Sequence, residues 1–254
     1  MFVGYGIEAP SFGLDDYAGL DVAGRVVVTL TGYPASMPSE EGAHYGSPRE
    51  KFKTAAAKGA AAVVLIYTER FESVLPWEFM VTNLDMMQMT WIRKEDGVPF
   101  VDPPELDLFI LMSPSGGALL FEGSQRSYEQ VRAEAVNGVP RGFPLAVDVE
   151  LQQQARHERR TSPNIAAVLH GTDPVLRGEH VVVLAHLDHD GIGSEVDGDR
   201  IRNGAMDNAA GVATMLEAAR VLAADPPRRS VLFLAVTAEG LGGGSGQRQP
   251  GADA

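Results

Sequence analysis

Short runs of β-branched and aliphatic residues, separated by polar or glycine-rich stretches, dominate the hydrophobic pattern of the chain. These runs span residues 24–30, 61–67, 164–169, 180–185 and 230–236. They are continuous rather than alternating, and each is bounded by turn residues, which is typical of strands buried on both faces. The pattern therefore predicts a set of short buried strands.

Helical features appear between these runs. Residues 49–58 favour a helix through their alanines, and Gly59 is placed to end it. Residues 208–223 carry apolar side chains at the spacing of one helix face. Ser113 before Pro114, and Ser127, have the character of N-caps of two shorter helices. Strands interrupted by helices predict the α/β fold class.

The remaining segments set the domain organisation. Residues 2–7 predict a strand, 32–47 an irregular loop, 68–104 a long excursion and 144–151 a half-exposed strand. The strongly polar stretch 152–160 then predicts a boundary between two domains. The predicted division is 1–150, 151–239 and a glycine-rich tail, 240–254. The tail has too few apolar side chains for their burial to offset the entropy lost on ordering, so it is predicted to be disordered.

Composition narrows the possible partners. The 254 residues carry a formal net charge of −13, so the mean field repels the phosphates of nucleic acids and of anionic membranes, and neither is expected as a partner. Cysteine is absent. Disulfides, thiolate metal sites and cysteine nucleophiles are therefore excluded, and His, Asp and Glu are the strong metal ligands that remain.

His186 and Asp188 follow the valine-rich run at 180–185. They would emerge at the carboxyl edge of the sheet, where open α/β sheets bind ligands. Because residues two apart on an extended chain face the same way, Asp188 could orient the imidazole while His186 holds a metal. The alternative is a hydrogen-bonded histidine at a strand end. His189 would face the other way, and we expect it either to contact a metal ligand from behind or to be structural.

Two further carboxylates stand at comparable positions. Asp207 precedes the helix predicted at 208–223, where it could bridge two divalent cations or simply cap the helix. Glu239 follows the strand predicted at 230–236, where it could act as general base or be a solvated surface residue. Independent caps would not be expected to meet at one edge, so the three signals together favour a metal-dependent hydrolase.

Their order along the chain resembles the zinc aminopeptidase family with two co-catalytic metals, in particular its members with a protease-associated domain. The resemblance rests on His186-x-Asp188, on the segment 204–211 around Asp207, and on Ser162-Pro163-Asn164. Residues 3–6, 15–17 and 58–62 resemble the protease-associated domain. The fold implied for 151–239 is the N-terminal part of a mixed-sheet α/β peptidase domain.

The resemblance also implies roles. His186 and Asp207 would be metal ligands for Zn²⁺, two ions in the family, with Asp188 orienting His186 and Glu239 acting as base. The substrate would be the N-terminus of a peptide or protein. Family members are often secreted or periplasmic, although residues 1–17 have no basic segment followed by an apolar run.

The resemblance ends at Gly240, where the family has a second glutamate that binds metal. Two further ligands, an aspartate and a histidine, are expected beyond this point in the family. Either a reading-frame error or a natural truncation would produce this ending. We therefore expect weak or absent activity. The alternatives are a binding module without catalysis, a two-metal hydrolase of non-peptide amides, and a chain that does not fold independently.

Overall fold

The computed structural model describes residues 1–82, 90–100, 103, 106, 108–152, 154 and 158–238. The chain divides into two compact units. The first comprises Met1–Thr82 and Val101–Arg156, and the second comprises Asn83–Phe100 and His157–Ala254. In the described ranges, no helix combines the length and apolar character needed to cross a membrane.

A parallel three-stranded sheet organises the first unit, with strands in the order β3, β4, β5. The strands of this unit are β1 (Glu8–Ala9), β2 (Leu14–Asp15), β3 (Val26–Leu30), β4 (Ala62–Ile66) and β5 (Leu108–Met112), and its helices are α1 (Ser39–Tyr45), α2 (Pro48–Ala57), α3 (Glu69–Glu72), α4 (Trp77–Thr82), α5 (Pro114–Leu119) and α6 (Tyr128–Asn137). Strands β1 and β2 form a separate antiparallel pair. The prediction that a protease-associated domain occupies residues 1–150 stays a prediction.

Both faces of this sheet are covered. Val28 and Val64 belong to one apolar cluster, whereas Val27, Val63 and Leu65 belong to another. Since successive side chains of a strand point to opposite faces, the alternation places one cluster on each side of the sheet. This explains why the sequence shows continuous apolar runs here rather than alternating ones.

Helix α2 carries a buried lysine, Lys51, which is only 1% exposed. Its Nζ donates to the carbonyl oxygens of Leu30 at 3.0 Å and Gly32 at 2.7 Å, and also to that of Tyr5. Burial lowers the pKa of Lys51 to about 7, opposed by the charge of Asp16. Lys51 therefore joins α2 to the end of β3 and to the chain at Tyr5.

The second unit contains a mixed three-stranded sheet in the order β6, β10, β7. Its elements are β6 (Ile165–Leu169), β7 (His180–His186), β8 (Gly191–Val196), β9 (Asp199–Arg202), α7 (Ala210–Ala224) and β10 (Ser230–Val236). Strand β10 runs antiparallel to β6 and parallel to β7, and β8 pairs with β9 as a hairpin. Met215 of α7 packs in a core cluster with Ala185 and Phe233. The α/β fold class is confirmed.

Three differences from the sequence expectations concern extended segments. Residues 144–151 contain no strand, because they lack a ladder partner: the amide of Ala146 donates to the Ser124 hydroxyl instead, at 2.9 Å. Residues 2–7 form only isolated bridges at Phe2. Strand β5, to which the sequence analysis assigned no element, completes the first sheet.

Candidate functional site

The carboxyl ends of β7 and β10 lie side by side in the second unit. The parallel register pairs His186 with Val236. One further bond extends the pairing, because the amide of Leu187 donates to the carbonyl of Val236 at 2.7 Å. His186 therefore stands at the sheet edge where α/β proteins commonly bind ligands.

The imidazole of His186 is held by the main chain that follows it. Its side chain is 11% exposed, and Nδ1 lies 2.9 Å from the carbonyl oxygen of Asp188. The carboxylate Oδ1 of Asp188 is farther from Nδ1, at 3.9 Å. The expected orienting carboxylate is thus replaced, at hydrogen-bonding distance, by the carbonyl of the same residue. Since a carbonyl can only accept, Nδ1 carries the proton in this contact.

Asp207 faces the other nitrogen of the same ring. Oδ1 of Asp207 lies 2.9 Å from Nε2 of His186, and the Asp207 side chain is 70% exposed. Asp207 lies in the irregular turn Ala205–Ala209, directly before α7. The oxygen that caps this helix belongs to Asn208, whose Oδ1 accepts from the Gly211 amide at 3.1 Å. Helix capping therefore explains the presence of Asn208 at its position, but it does not explain the presence of Asp207.

The facing atoms of His186 and Asp207 are at hydrogen-bonding distance from each other. With the ring proton on Nδ1, Nε2 presents a lone pair, and the carboxylate oxygen of Asp207 presents another. At 2.9 Å two lone pairs repel each other unless a proton or a metal ion lies between them. Two atoms that bind one tetrahedral zinc are about 3.3 Å apart, since each bond is about 2.0–2.1 Å. The donor types fit part of a zinc site, whereas the 2.9 Å separation is that of an N–H···O hydrogen bond and is shorter than the spacing of two zinc ligands.

The described residues supply this pair and not a full ligand set. Over the ranges that the structure describes, no group of three or more His, Cys, Asp or Glu side chains is arranged to hold a metal ion. Glu239, the predicted base, and Gly240, where the resemblance ends, lie outside the described residues. A structural zinc site usually has four protein ligands, and a catalytic one three.

His189 lies close to Gly204, which directly precedes the turn that carries Asp207. A Cβ placed on Gly204 would lie 2.9 Å from the Cβ of His189 and 2.9 Å from the carbonyl oxygen of Asp207. Gly204 also has a φ of +63°, which glycine adopts without strain. These distances show why position 204 is a glycine, and the role of His189 stays a prediction. Of the other histidines, those at 44, 170 and 180 are exposed, and His157 lies outside the described residues.

Asn164 is a residue whose role the sequence analysis missed. Its Oδ1 accepts from the amide of Thr237 at 3.0 Å and lies 3.5 Å from the Thr237 hydroxyl oxygen. Asn164 directly precedes β6 and Thr237 directly follows β10. The signal in the sequence was a polar residue between Pro163 and an apolar run, and this pattern does not reveal which strand pairs with β6.

A scan of protein families gives one match for this part of the chain. Residues 164–246 match the model described as Peptidase family M28. The matched segment contains all four predicted site residues as well as Asn164. No curated protein matches the sequence.

Two aminopeptidases are among the solved structures that are similar to this chain. An aminopeptidase from Aneurinibacillus sp. strain AM-1 is 19% identical with a TM-score of 0.39, over 95% of this chain and 43% of that one. BSAP, a zinc aminopeptidase from Bacillus subtilis, is 19% identical with a TM-score of 0.32 in one structure, over 94% of this chain and 40% of that one. In a second structure the values are 18% and 0.34 over the same shares. The chain thus spans less than half the length of either protein.

Proposed function

We propose that this protein hydrolyses the peptide bond after the N-terminal residue of a peptide. The premise is the match of residues 164–246 to Peptidase family M28. His186 and Asp207 would be two ligands of the catalytic zinc. Glu239 would be the general base. Asp207 would also help to hold a second zinc ion, as the family resemblance implies.

The observation that carries the proposal is the 2.9 Å contact between Nε2 of His186 and Oδ1 of Asp207. Two residues separated by 21 positions meet at the carboxyl edge of the sheet, with the donor atoms that zinc prefers. The carbonyl of Asp188, 2.9 Å from Nδ1, would keep the proton on that nitrogen and leave Nε2 free to bind the metal. The exposed carboxylate of Asp207 leaves the position open to substrate.

A zinc ion bound there would polarise the scissile carbonyl and lower the pKa of water. The chain's own residues would do the rest. Glu239 would accept a proton from the attacking water at its carboxylate and deliver it to the departing amine nitrogen. His186, held by Asp188, would keep its ring orientation throughout the reaction.

The test measures zinc content and turnover of an aminoacyl chromogenic substrate in the same preparations. We expect His186→Ala and Asp207→Asn each to reduce turnover by at least about a hundredfold and to lower bound zinc, because each removes a metal donor. His180→Ala is the matched control, since it removes an exposed histidine from the other end of β7. Equal zinc and turnover in all four proteins would refute the proposal.

Gly240 stands where the family has a metal-binding glutamate, and this supports a second candidate, a peptide-binding module without catalysis. Wild-type protein that binds peptide but shows no turnover at saturating zinc would favour this candidate. Turnover confined to non-peptide amides in a substrate panel would instead assign the site a different reaction.

A further inference from the structure

The chain leaving β10 is held on both sides at the predicted catalytic edge. In the antiparallel pair of β6 and β10, Ile165 lies opposite Ala235. That ladder ends there, so the amide of Thr237 has no main-chain partner from β6. The Oδ1 of Asn164 takes this place by accepting from the Thr237 amide at 3.0 Å. The side chain thus extends the ladder beyond its last main-chain pair.

The opposite side is held by β7. The amide of Leu187 donates to the carbonyl of Val236 at 2.7 Å, directly after His186. Val236 is therefore bonded to the residue that follows His186 at the end of β7, and Thr237 is bonded to Asn164, which directly precedes β6. The end of β10 and His186 thus lie at the same edge of the sheet.

Ala238, the residue after Thr237, has a backbone conformation that the surrounding structure must hold in place. Ala238 has a φ of +69°, in the left-handed region that costs a non-glycine residue roughly 1 kcal/mol or more. Conformations of this kind persist where the surrounding structure holds them. The two bonds from Thr237 to Asn164 hold the chain one residue earlier. Glu239 is the following residue in the sequence.

We propose that Asn164 is a positioning residue: by accepting from Thr237 it fixes the chain at the end of β10, two residues before Glu239 in the sequence. This inference rests on the proposed function for the role of Glu239. The bond from Asn164 to Thr237 does not depend on that role. Asn164 acts through Thr237 and is not itself assigned a contact with substrate or metal.

Three variants of the full chain test the inference. Asn164→Ala removes the acceptor, and Asn164→Asp keeps an acceptor oxygen of the same shape. Thr172→Val is the matched control, because it removes a side-chain hydrogen bond, to the carbonyl of Pro227 at 3.3 Å, at the opposite end of the same strand pair. Thermal melts establish that each variant is folded.

The first measurement is residue-resolved amide hydrogen exchange at Thr237. In Asn164→Ala we expect exchange about fivefold faster or more, the effect of losing one hydrogen bond, while Asn164→Asp and Thr172→Val stay within twofold of wild type. Unchanged exchange in folded Asn164→Ala, or equal acceleration in Thr172→Val, would overturn the inference. This readout requires no activity.

The second measurement is the separation of kcat from KM in the zinc-loaded protein. A misplaced base lowers kcat, so we expect Asn164→Ala to lose about tenfold to a hundredfold in kcat with KM within about threefold, and Asn164→Asp to recover most of the loss. A loss confined to KM would overturn the positioning role. If wild type shows no turnover, the proposed function fails and the exchange result still decides whether Asn164 holds Thr237.

Discussion

Asp16 is a buried carboxylate in the first unit, 9% exposed, and its Oδ2 accepts from the amide of Ile7 at 3.0 Å. Burial raises the pKa of Asp16 to about 6, although the Ile7 bond and the charge of Lys51 act in the opposite direction. A folded-state pKa above the unfolded one means that the folded protein holds the proton more tightly. Protonation of Asp16 therefore contributes to the free energy of unfolding. This contribution is fully present below about pH 4 and is lost as the pH rises through about 6.

We expect Asp16→Asn to remove this dependence, because the amide side chain is neutral at every pH and can still accept from Ile7. Between pH 4 and pH 7 the wild type should lose about 2–3 kcal/mol of unfolding free energy relative to the variant. Urea unfolding at a series of pH values measures the difference. The exposed Asp21 provides the control, and Asp21→Asn should track the wild type. Parallel curves for wild type and Asp16→Asn would contradict the assignment.

At the scale of single residues, the sequence predicted which side chains meet and not how they are held. The spacing of the motifs brought His186 and Asp207 to one edge, and the structure places their atoms 2.9 Å apart; their roles as metal ligands stay predictions. The contact of His186 with the carbonyl of Asp188 was not predictable, because main-chain geometry after a strand is not encoded in residue type. The bond from Asn164 to Thr237 depends on strand pairing between distant segments.

At the scale of elements, burial on both faces made prediction straightforward. Strands β3 and β4 follow from continuous apolar runs, and α2 follows from its alanines, whereas its Ser47 cap was not predicted. Alternation alone misled at 144–151, since Leu145 and Val147 pack on the core without a neighbouring strand. A periodic pattern reports which side chains are buried, whereas a strand also requires a partner for its main chain.

Helix α5 offers a test of packing at this scale, because its two adjacent glycines differ in surroundings. A Cβ on Gly117 would lie 2.6 Å from Cγ2 of Ile66, a fully buried residue of β4. A Cβ on Gly116 would meet the flexible Met112 side chain at 3.1 Å. The sequence treats both glycines alike, as residues that weaken a helix. The structure separates them by what each one faces.

We therefore expect opposite effects of two neighbouring substitutions. Gly117→Ala should destabilise the protein by about 1–2 kcal/mol, because overpacking against Ile66 outweighs the gain in helix propensity. Gly116→Ala should be neutral or stabilising by up to about 1 kcal/mol. Chemical unfolding followed by circular dichroism compares them directly. Equal effects would show that α5 does not pack closely on β4.

At the scale of the whole molecule, each unit has its own apolar core, and the two cores differ in extent. The first unit buries both faces of its sheet, with Val63 fully buried. Among its described residues, the second unit has one smaller cluster, which includes Val231. On β7 of that unit, Val182 and Leu184 remain 51% and 60% exposed. Burial of apolar area is the main stabilising contribution to folding, so the second unit should be the less stable one.

Separate cores predict two thermal transitions, with the second unit unfolding at the lower temperature. Val231→Ala should lower that transition by several degrees, and Val63→Ala should lower the upper one, since each removes buried methyl groups at a cost of about 1–3 kcal/mol. Differential scanning calorimetry resolves the transitions, and the substitutions assign them. A single transition whose calorimetric and van't Hoff enthalpies agree, and which both substitutions shift, would mean that the two cores unfold as one cooperative unit.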